Sequence, residues 1–185
     1  MAFTREIRIS LTVIACIALD CLGRLIASEY ALPLWLDTIG TSIAAYAFGP
    51  VCGAMTALTF SIGFSDLTGN AVELLYGSTG VAIGIAVGIG ARRGIFKSVF
   101  RVFSLSFFIA ALSTAISAPI NLVTKNGMTG NPWSDGLINM LEENGAGHAL
   151  SGFIGQFYLD FPDKLLSLLA VYAFIRLWSL RKRPV

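Results

Sequence analysis

Long apolar stretches separated by short polar breaks dominate the pattern along this chain. Stretches of this length predict helices, and several are long enough for the roughly 20 residues that a membrane-spanning helix needs. Between two of them lies Gly49-Pro50, a pair that predicts a tight turn where one helix ends and the next begins. The pattern therefore predicts six helices, which cover residues 7–28, 34–48, 51–64, 72–91, 99–123 and 165–180.

The least apolar stretch runs over residues 125–143 and predicts a loop. It contains Asn126-Gly127, Thr129-Gly130 and Asn131-Pro132, which are turn-forming pairs. We expect the segment of about 124–147 to lie outside the membrane and to act as a lid. Residues 147–159 predict a short re-entrant or interfacial helix, and the sequence Asp160-Phe161-Pro162-Asp163 predicts a break before the last span.

Composition supports a membrane location for these helices. Hydrophobic residues make up 55% of the 185 residues and charged residues 13%, and the mean hydropathy is +0.74. A soluble domain of this size needs a more polar surface. The fold predicted is an all-α integral membrane protein, a bundle of six transmembrane helices that forms a single domain over residues 1–185.

Three clusters of basic residues predict the orientation of the bundle. Cytoplasmic loops of membrane proteins carry an excess of Lys and Arg, so all three clusters should lie on one side. An even number of spans before and after the middle cluster satisfies this condition and places both termini in the cytoplasm. The clusters are Arg5 and Arg8, then Arg92, Arg93, Lys97 and Arg101, and finally Arg176, Arg181, Lys182 and Arg183. The net charge is +2, and the basic residues form a few clusters rather than a broad basic surface, which argues against a nucleic-acid partner.

Most of the other charged residues fall near the opposite, outer end of the predicted bundle. A charge at the centre of a spanning helix costs roughly 2.5–3.5 kcal/mol on insertion scales, so Asp20, Arg24, Asp37 and Glu73 should face the bundle interior, water or one another. An outward cavity for a small molecule follows from this arrangement. Its candidate substrate-binding residues are Arg24, Asp37, Asn70, Glu73, Tyr76, Asn121, Trp133 and Gln156.

Each candidate has a chemical reason and an alternative. Arg24 could bind a carboxylate or phosphate with both arms of its guanidinium, or it could form an internal ion pair with Asp20, Glu29 or Asp37. Asp37 and Glu73 could bind an amine or hydroxyl groups, or hold the fold together.

The aromatic and amide candidates have roles of a different kind. Tyr76 and Trp133, together with Trp35, could stack on a planar ring or anchor the protein at the membrane interface. Asn70, Asn121 and Gln156 could orient a solute, because buried amides need hydrogen-bond partners.

Small residues recur at four-residue spacing in three of the predicted helices. Such stripes allow close approach of helix backbones within a membrane, or contact with a partner subunit. They do not predict a phosphate-binding loop, because no Gly-Lys-Ser/Thr follows the glycines. The stripes are Gly80, Gly84 and Gly88, then Gly53, Ala57 and Ser61, and finally Ala110, Thr114 and Ala118.

Residue types that carry catalysis or bind metals are scarce. His148 is the only histidine, and no serine or cysteine lies in a recognisable nucleophile motif. Cys16, Cys21 and Cys52 lie in apolar stretches, without the paired spacing of a zinc site. We therefore expect a protein that is not an enzyme, with neither a metal site nor a cofactor.

The sequence over residues 33–41, Pro-Leu-Trp-Leu-Asp-Thr-Ile-Gly-Thr, precedes Gly49-Pro50 and a glycine-rich fourth helix. With the later Asp160-Phe161-Pro162-Asp163-Lys164, this pattern resembles the substrate-specific S components of energy-coupling factor (ECF) transporters. The resemblance implies a subunit that captures a vitamin or related micronutrient from outside the cell. It also implies assembly with a transmembrane coupling protein and two cytoplasmic ATPases, without ATP hydrolysis by this chain itself.

S components often dock to the coupling protein through small residues of the first helix. The closest matches here are Thr12 and Cys16, four residues apart, with Ala15 beside them.

The sequence leaves two other functions open. One is a ligand-sensing membrane module of a signalling system, and the other is a stand-alone secondary transporter, which usually shows an internal repeat that this chain lacks.

Overall fold

The computed structural model describes the backbone of residues 2–181 and the side chains of residues 6–177. Within that part of the chain the structure is helical and has no strand. It consists of α1 (Ala2–Glu29), α2 (Ile39–Phe48), α3 (Pro50–Thr68), α4 (Val72–Arg92), a short 3-10 helix (Ile95–Lys97), α5 (Val99–Thr124), α6 (Pro132–Glu143) and α7 (His148–Arg181).

Four of these helices are long and apolar enough to cross a membrane: α1 from Glu6 onward, α3, α4 and α5. The chain is therefore a multi-pass membrane protein with an all-helical fold. Helix α2 has only ten residues, and α7 carries the buried charges Asp160, Asp163 and Lys164 near its middle. The count of six spans stays a prediction.

The Gly49-Pro50 turn and the packing of α3 on α4 confirm two of the predictions. Gly49 has φ +98°, an angle suited to glycine, and Pro50 occupies the first turn of α3. Small residues of the two helices then face each other in antiparallel order. The facing pairs are Pro50 with Gly88, Gly53 with Gly84, Ala57 with Gly80, and Ser61 with Gly77.

The predicted helix over residues 34–48 begins five residues too early, because residues 34–38 are not helical. This segment lies close against α1: a Cβ at Gly23 would lie 2.0 Å from the carbonyl oxygen of Leu36, and one at Gly40 would lie 1.9 Å from that of Cys16. Leu36 has φ +56°, an angle that breaks a helix. The α1–α2 loop, residues 30–38, therefore runs back along α1 before α2 begins.

The prediction of a loop over residues 125–143 is wrong in its second half, where α6 forms. Asn131 is the N-cap residue, and its side chain accepts a hydrogen bond from the backbone N–H of Trp133 at 3.1 Å. Pro132 occupies the first turn, where its missing N–H costs nothing. The Asn-Pro pair interpreted as a turn is therefore a helix start, and the buried Ile138 packs α6 onto α7 at Gly155.

The predicted break at residues 160–163 is also wrong. Helix α7 continues through Pro162, so the short helix expected over 147–159 and the last span form one helix of 34 residues. A proline inside a helix removes one hydrogen bond and can kink the helix without ending it. Asp160 and Asp163 do not force the chain out of the bundle either, because both are buried and accept hydrogen bonds from other elements.

Two of the predicted basic clusters meet at one end of the bundle, which we call the basic end. A nitrogen of Arg176 on α7 donates a hydrogen bond to the backbone carbonyl of Lys97 at 2.8 Å, next to Arg92, Arg93 and Arg101. Arg8 lies near the N-terminus of α1, which is at the basic end of the bundle. Lys182 and Arg183 lie outside the described residues. Which face of the membrane this end occupies stays a prediction.

The apolar core fills the half of the bundle near the basic end. It includes Ala45 of α2, Val87 of α4, Val102 of α5 and Val171 of α7, all almost fully buried. Ile83 belongs both to this core and to the wall of a polar cavity in the other half. The bundle is thus closed at the basic end and hollow at the other, which we call the cavity end.

Candidate functional site

A polar cavity opens into the bundle from the cavity end. Its walls come from α1, the α1–α2 loop, α3, α4, α5, the segment after α5, and α7. The cavity with its open mouth encloses about 630 Å³, of which about 70 Å³ is wide enough to hold the centre of a water molecule. The smaller figure limits what fits in this conformation, since the larger one includes open solvent.

Six of the eight predicted site residues line this cavity: Arg24, Asp37, Glu73, Tyr76, Asn121 and Gln156. They come from five separate segments of the chain, so the fold brings together residues up to 132 positions apart, from Arg24 to Gln156. The remaining wall is made of hydroxyl-bearing and aromatic side chains with further charges. These residues are Trp35, Thr38, Phe60, Ser61, Thr79, Ser113, Ser117, Lys125, Thr129, Asp160 and Lys164, with Ala57, Gly80 and Ile83 completing the wall.

Arg24 bridges two carboxylates at the mouth of the cavity. Its guanidinium nitrogens lie 3.5 Å from an oxygen of Asp37 and 3.4 Å from an oxygen of Glu73. The guanidinium also stacks over Trp35, 4.2 Å from the ring centroid. The internal pair considered as the alternative for Arg24 is thus present with Asp37, and Glu73 is its second partner. The positive charge of Arg24 is satisfied within the protein.

Lys164 forms a second ion-pair group deeper in the wall. Its Nζ lies 2.5 Å from Oδ2 of Asp163 and 3.7 Å from Oδ1 of Asp37. Asp163 also accepts hydrogen bonds from the backbone N–H groups of Trp35 at 3.1 Å and Leu36 at 2.7 Å. This carboxylate on α7 therefore fixes the α1–α2 loop in the position where Trp35 and Asp37 reach the cavity.

A chain of hydrogen bonds crosses the cavity wall from α4 to α7. The hydroxyl of Tyr76 donates to Oδ1 of Asn121, and Nδ2 of Asn121 donates to Oε1 of Gln156 at 2.8 Å. Nε2 of Gln156 then donates to Oδ1 of Asp160 at 2.9 Å, and the hydroxyl of Thr114 donates to the other oxygen of Asp160. These bonds fix which atom of each amide is the nitrogen. Each amide retains one further N–H for another acceptor.

Lys125 differs from the other cationic groups of the cavity. Its Nζ donates to the backbone carbonyl of Thr129 at 3.2 Å and lies 5.1 Å from the ring centroid of Tyr76. Among the described side chains, no carboxylate oxygen lies within 4.0 Å of it. Burial lowers the pKa of Lys125, although attraction to Glu73 and Asp135 opposes that shift. The structure thus places a partly buried ammonium group at the cavity without a paired acid.

A second hollow lies above the cavity at the same end, and about 220 Å³ of it is wide enough to hold the centre of a water molecule. It shares five residues with the cavity, and these form a neck between the two spaces: Arg24, Trp35, Glu73, Lys125 and Thr129. The outer walls of the hollow include Ala31 and Leu34 of the α1–α2 loop, and Asn131 and Pro132 at the start of α6. A solute that enters from this end therefore passes the two cations Arg24 and Lys125.

Asn70 and Trp133 do not line the cavity. The side chain of Asn70 accepts a hydrogen bond from the backbone N–H of Val72 at 3.1 Å, at the start of α4. Nε1 of Trp133 donates to the carbonyl of Ala31 at 2.8 Å, and the neighbouring Asn131 donates to that of Leu32 at 2.7 Å. Trp133 and Asn131 thereby fasten the α1–α2 loop to the start of α6.

The three predicted docking residues occupy different positions on α1. Ala15 is exposed and Thr12 is half-buried, with its hydroxyl donating to the carbonyl of Arg8. Cys16 is buried against Gly40 of α2. Within the described fold Cys16 packs inward, so an external partner would meet Ala15 rather than Cys16.

Sequence reasoning missed Lys125, Lys164 and Asp160 as members of the cavity wall. Lys125 follows directly after α5 in a stretch rich in turn-forming pairs, which gave it the pattern of a solvated loop residue. Asp160 and Lys164 recur four residues apart, and helical spacing would have placed both on one face if the helix had been extended through Pro162.

No group of three His, Cys, Asp or Glu side chains that could hold a metal ion occurs in the described part of the chain.

Comparisons with protein-family models, curated proteins and solved structures find no match to this chain. The resemblance to ECF S components therefore depends on the sequence motifs alone.

Proposed function

We propose that this chain is the substrate-binding membrane subunit of an ECF-type importer, which captures a vitamin or related small micronutrient from outside the cell. Its partners would be a transmembrane coupling protein and two cytoplasmic ATPases, and the chain itself would be neither an enzyme nor an ATPase. The observation that carries the proposal is the polar cavity, whose wall collects six of the residues nominated from the sequence.

The chemistry of the cavity favours a small polar solute that carries an anionic group. Arg24 and Lys164 already have carboxylate partners, whereas Lys125 has none within 4.0 Å among the described side chains. An incoming carboxylate or phosphate would supply that partner through a charge-assisted hydrogen bond. Asn121 and Gln156 would orient the rest of the solute with their remaining N–H groups, and Trp35 and Tyr76 offer aromatic contact at the mouth.

The space of about 70 Å³ that is open to the centre of a water molecule is smaller than the 300–1,000 Å³ typical of ligand pockets. Part of the cavity wall must therefore move outward before a micronutrient can bind. The α1–α2 loop is one of two parts of the wall without regular structure, the other being the segment after α5, and it is fastened by a few side chains of α7 and of the start of α6. Binding would then displace Trp35 and Asp37 outward. Entry from the cavity end agrees with the predicted topology, in which the basic end faces the cytoplasm.

The test is native mass spectrometry of the purified full-length protein, to find a co-purifying metabolite. Ser113→Leu would fill the cavity wall and should abolish retention of that metabolite, whereas Ser104→Leu, on the exposed side of the same helix, should not. The melting temperatures of both variants show whether they fold. If no small molecule is retained and no ATPase or coupling protein is recovered by affinity capture from the native membrane, the proposal fails.

A further inference from the structure

A further cavity, separate from the polar one and from the hollow above it, is an apolar groove on the outside of the bundle between α4 and α5. About 830 Å³ of it is wide enough to hold the centre of a water molecule. Helix α4 contributes Ala82, Ile85, Ala86 and Ile89, a spacing that places all four on one face. The facing stripe of α5 includes Leu105, Phe108 and Leu112.

Both stripes end in an arginine at the same end of the groove. Arg93 follows directly after α4, and Arg101 lies in the first turn of α5. Both are exposed, and in the described part of the chain neither has a carboxylate oxygen within 4.0 Å. The groove lining contains no acidic residue. The groove therefore has an apolar body and a cationic end.

Its length matches one leaflet of a bilayer. From Ala82 to Arg93 the helix rises about 16 Å at 1.5 Å per residue, whereas half of the hydrocarbon core is about 15 Å thick. Arg93 and Arg101 then lie at the level of the headgroups when the groove faces the acyl chains. A guanidinium binds a phosphate through two parallel hydrogen bonds, and two of them at one position fit a lipid phosphate.

We propose that this groove is a binding site for an anionic phospholipid, with an acyl chain along α4 and α5 and the phosphate between Arg93 and Arg101. A zwitterionic lipid would offer the same chains but would bring a positive group beside the two arginines. This site is independent of the polar cavity and of the proposed import function. Basic pockets between transmembrane helices are a known form of lipid recognition.

The test uses the full-length protein in detergent, with equal amounts of phosphatidylglycerol and phosphatidylcholine, and native mass spectrometry to count the lipids retained. Two basic residues at a membrane surface correspond to a preference of about 30-fold for the anionic lipid. Arg93→Gln/Arg101→Gln should remove that preference. Arg8→Gln/Arg92→Gln, which neutralises two exposed arginines outside the groove, should keep it.

A third variant, Ser104→Trp, fills the groove while both arginines remain. It should reduce retention of phosphatidylglycerol, and inorganic phosphate alone should raise the melting temperature of the wild type far less than the lipid does. The proposal is overturned by equal retention of both lipids, by equal losses in the two double variants, or by full stabilisation with inorganic phosphate. A second copy or a partner helix that occupies the groove and excludes lipid would also overturn it.

Discussion

The carboxylate of Asp20 accepts hydrogen bonds from both the backbone N–H and the hydroxyl of Thr41, at 2.8 and 2.7 Å. Its second oxygen accepts from the N–H of Gly40 at 2.7 Å. Asp20 lies on α1 and is fully buried, whereas Gly40 and Thr41 begin α2. A side chain of one helix thus caps the first turn of the next, where the helix dipole favours a negative charge. The acidic residue in the first span is therefore part of the fold.

Asp20→Leu should destabilise the protein by about 3 kcal/mol or more, because it leaves two backbone N–H groups without acceptors at about 1–3 kcal/mol each. Asp20→Asn, which keeps one acceptor, should lie between the wild type and Asp20→Leu. Thermal unfolding in detergent measures the effect. Asp66→Asn, at an exposed acid of α3, is the control and should change little. An unaltered melting temperature for Asp20→Leu would refute the capping role.

The contact of α3 with α4 gives a prediction about glycine. A Cβ at Gly84 would lie 2.5 Å from the carbonyl carbon of Gly53, and this backbone cannot move aside without separating the helices. Gly84→Ala should therefore cost about 1–3 kcal/mol of stability, as for other overpacked sites.

Gly63→Ala in α3 is the matched control, since nothing lies within 4 Å of a Cβ at that position. It should stabilise the protein by up to about 1 kcal/mol, because alanine is the better helix former. Urea unfolding of both variants in the same detergent makes the comparison. Equal effects of the two substitutions would mean that helix propensity, and not interhelical contact, governs these glycines.

The features that the sequence predicted well are those with a short-range signal. Gly49-Pro50 requires only the backbone preferences of two residues, and the small-residue stripes require only helical spacing. The inward direction of Asp20, Arg24 and Glu73 follows from the high cost of exposing a charge to lipid. Each of these arguments needs no knowledge of which helices are neighbours.

The features that were missed depend on tertiary contacts. Helix α2 begins at Ile39 because two acids that are distant in sequence fix the backbone there: Asp163 holds the segment before the helix, and Asp20 caps its first turn. Helix α7 continues through Pro162 because the charges beside the proline have buried partners. Lys125 lies at the cavity because of the path that the chain takes after α5. One-dimensional patterns do not contain these contacts.

Arg24 allows a test of whether a cation in the site is structural. Arg24→Gln leaves Asp37 and Glu73 without their shared partner and should destabilise the protein by about 3 kcal/mol, the lower end for broken buried ion pairs, since these side chains are 13–21% exposed. Neutralising both acids as well, in Arg24→Gln/Asp37→Asn/Glu73→Gln, should restore much of that loss. Thermal unfolding without ligand measures both. If Arg24→Gln is as stable as the wild type and loses only ligand binding, Arg24 is a ligand contact instead.

Lys125→Met should act in the opposite way to Arg24→Gln: it should stabilise the protein without ligand but weaken ligand binding. The stabilisation is expected because burial lowers the pKa of Lys125. In the unfolded chain the pKa of Lys125 has its ordinary value of 10.5, so Lys125 takes up a proton there at a higher pH than it does in the folded protein. The folded state therefore loses stability as the pH falls through 10.5. Lys125→Met removes this penalty, and we expect a higher melting temperature at neutral pH without ligand. The advantage over the wild type should shrink as the pH rises above the ordinary value.

The same substitution should weaken binding of an anionic solute by about 10- to 100-fold, the loss expected for one charge-assisted hydrogen bond. Calorimetric titration with the metabolite that co-purifies measures the change, and Lys97→Met, at an exposed lysine of the basic end, is the control. A stable Lys125→Met protein with unchanged affinity would exclude Lys125 as the anion contact. Destabilisation without ligand would instead show that its hydrogen bond to Thr129 outweighs the cost of its burial.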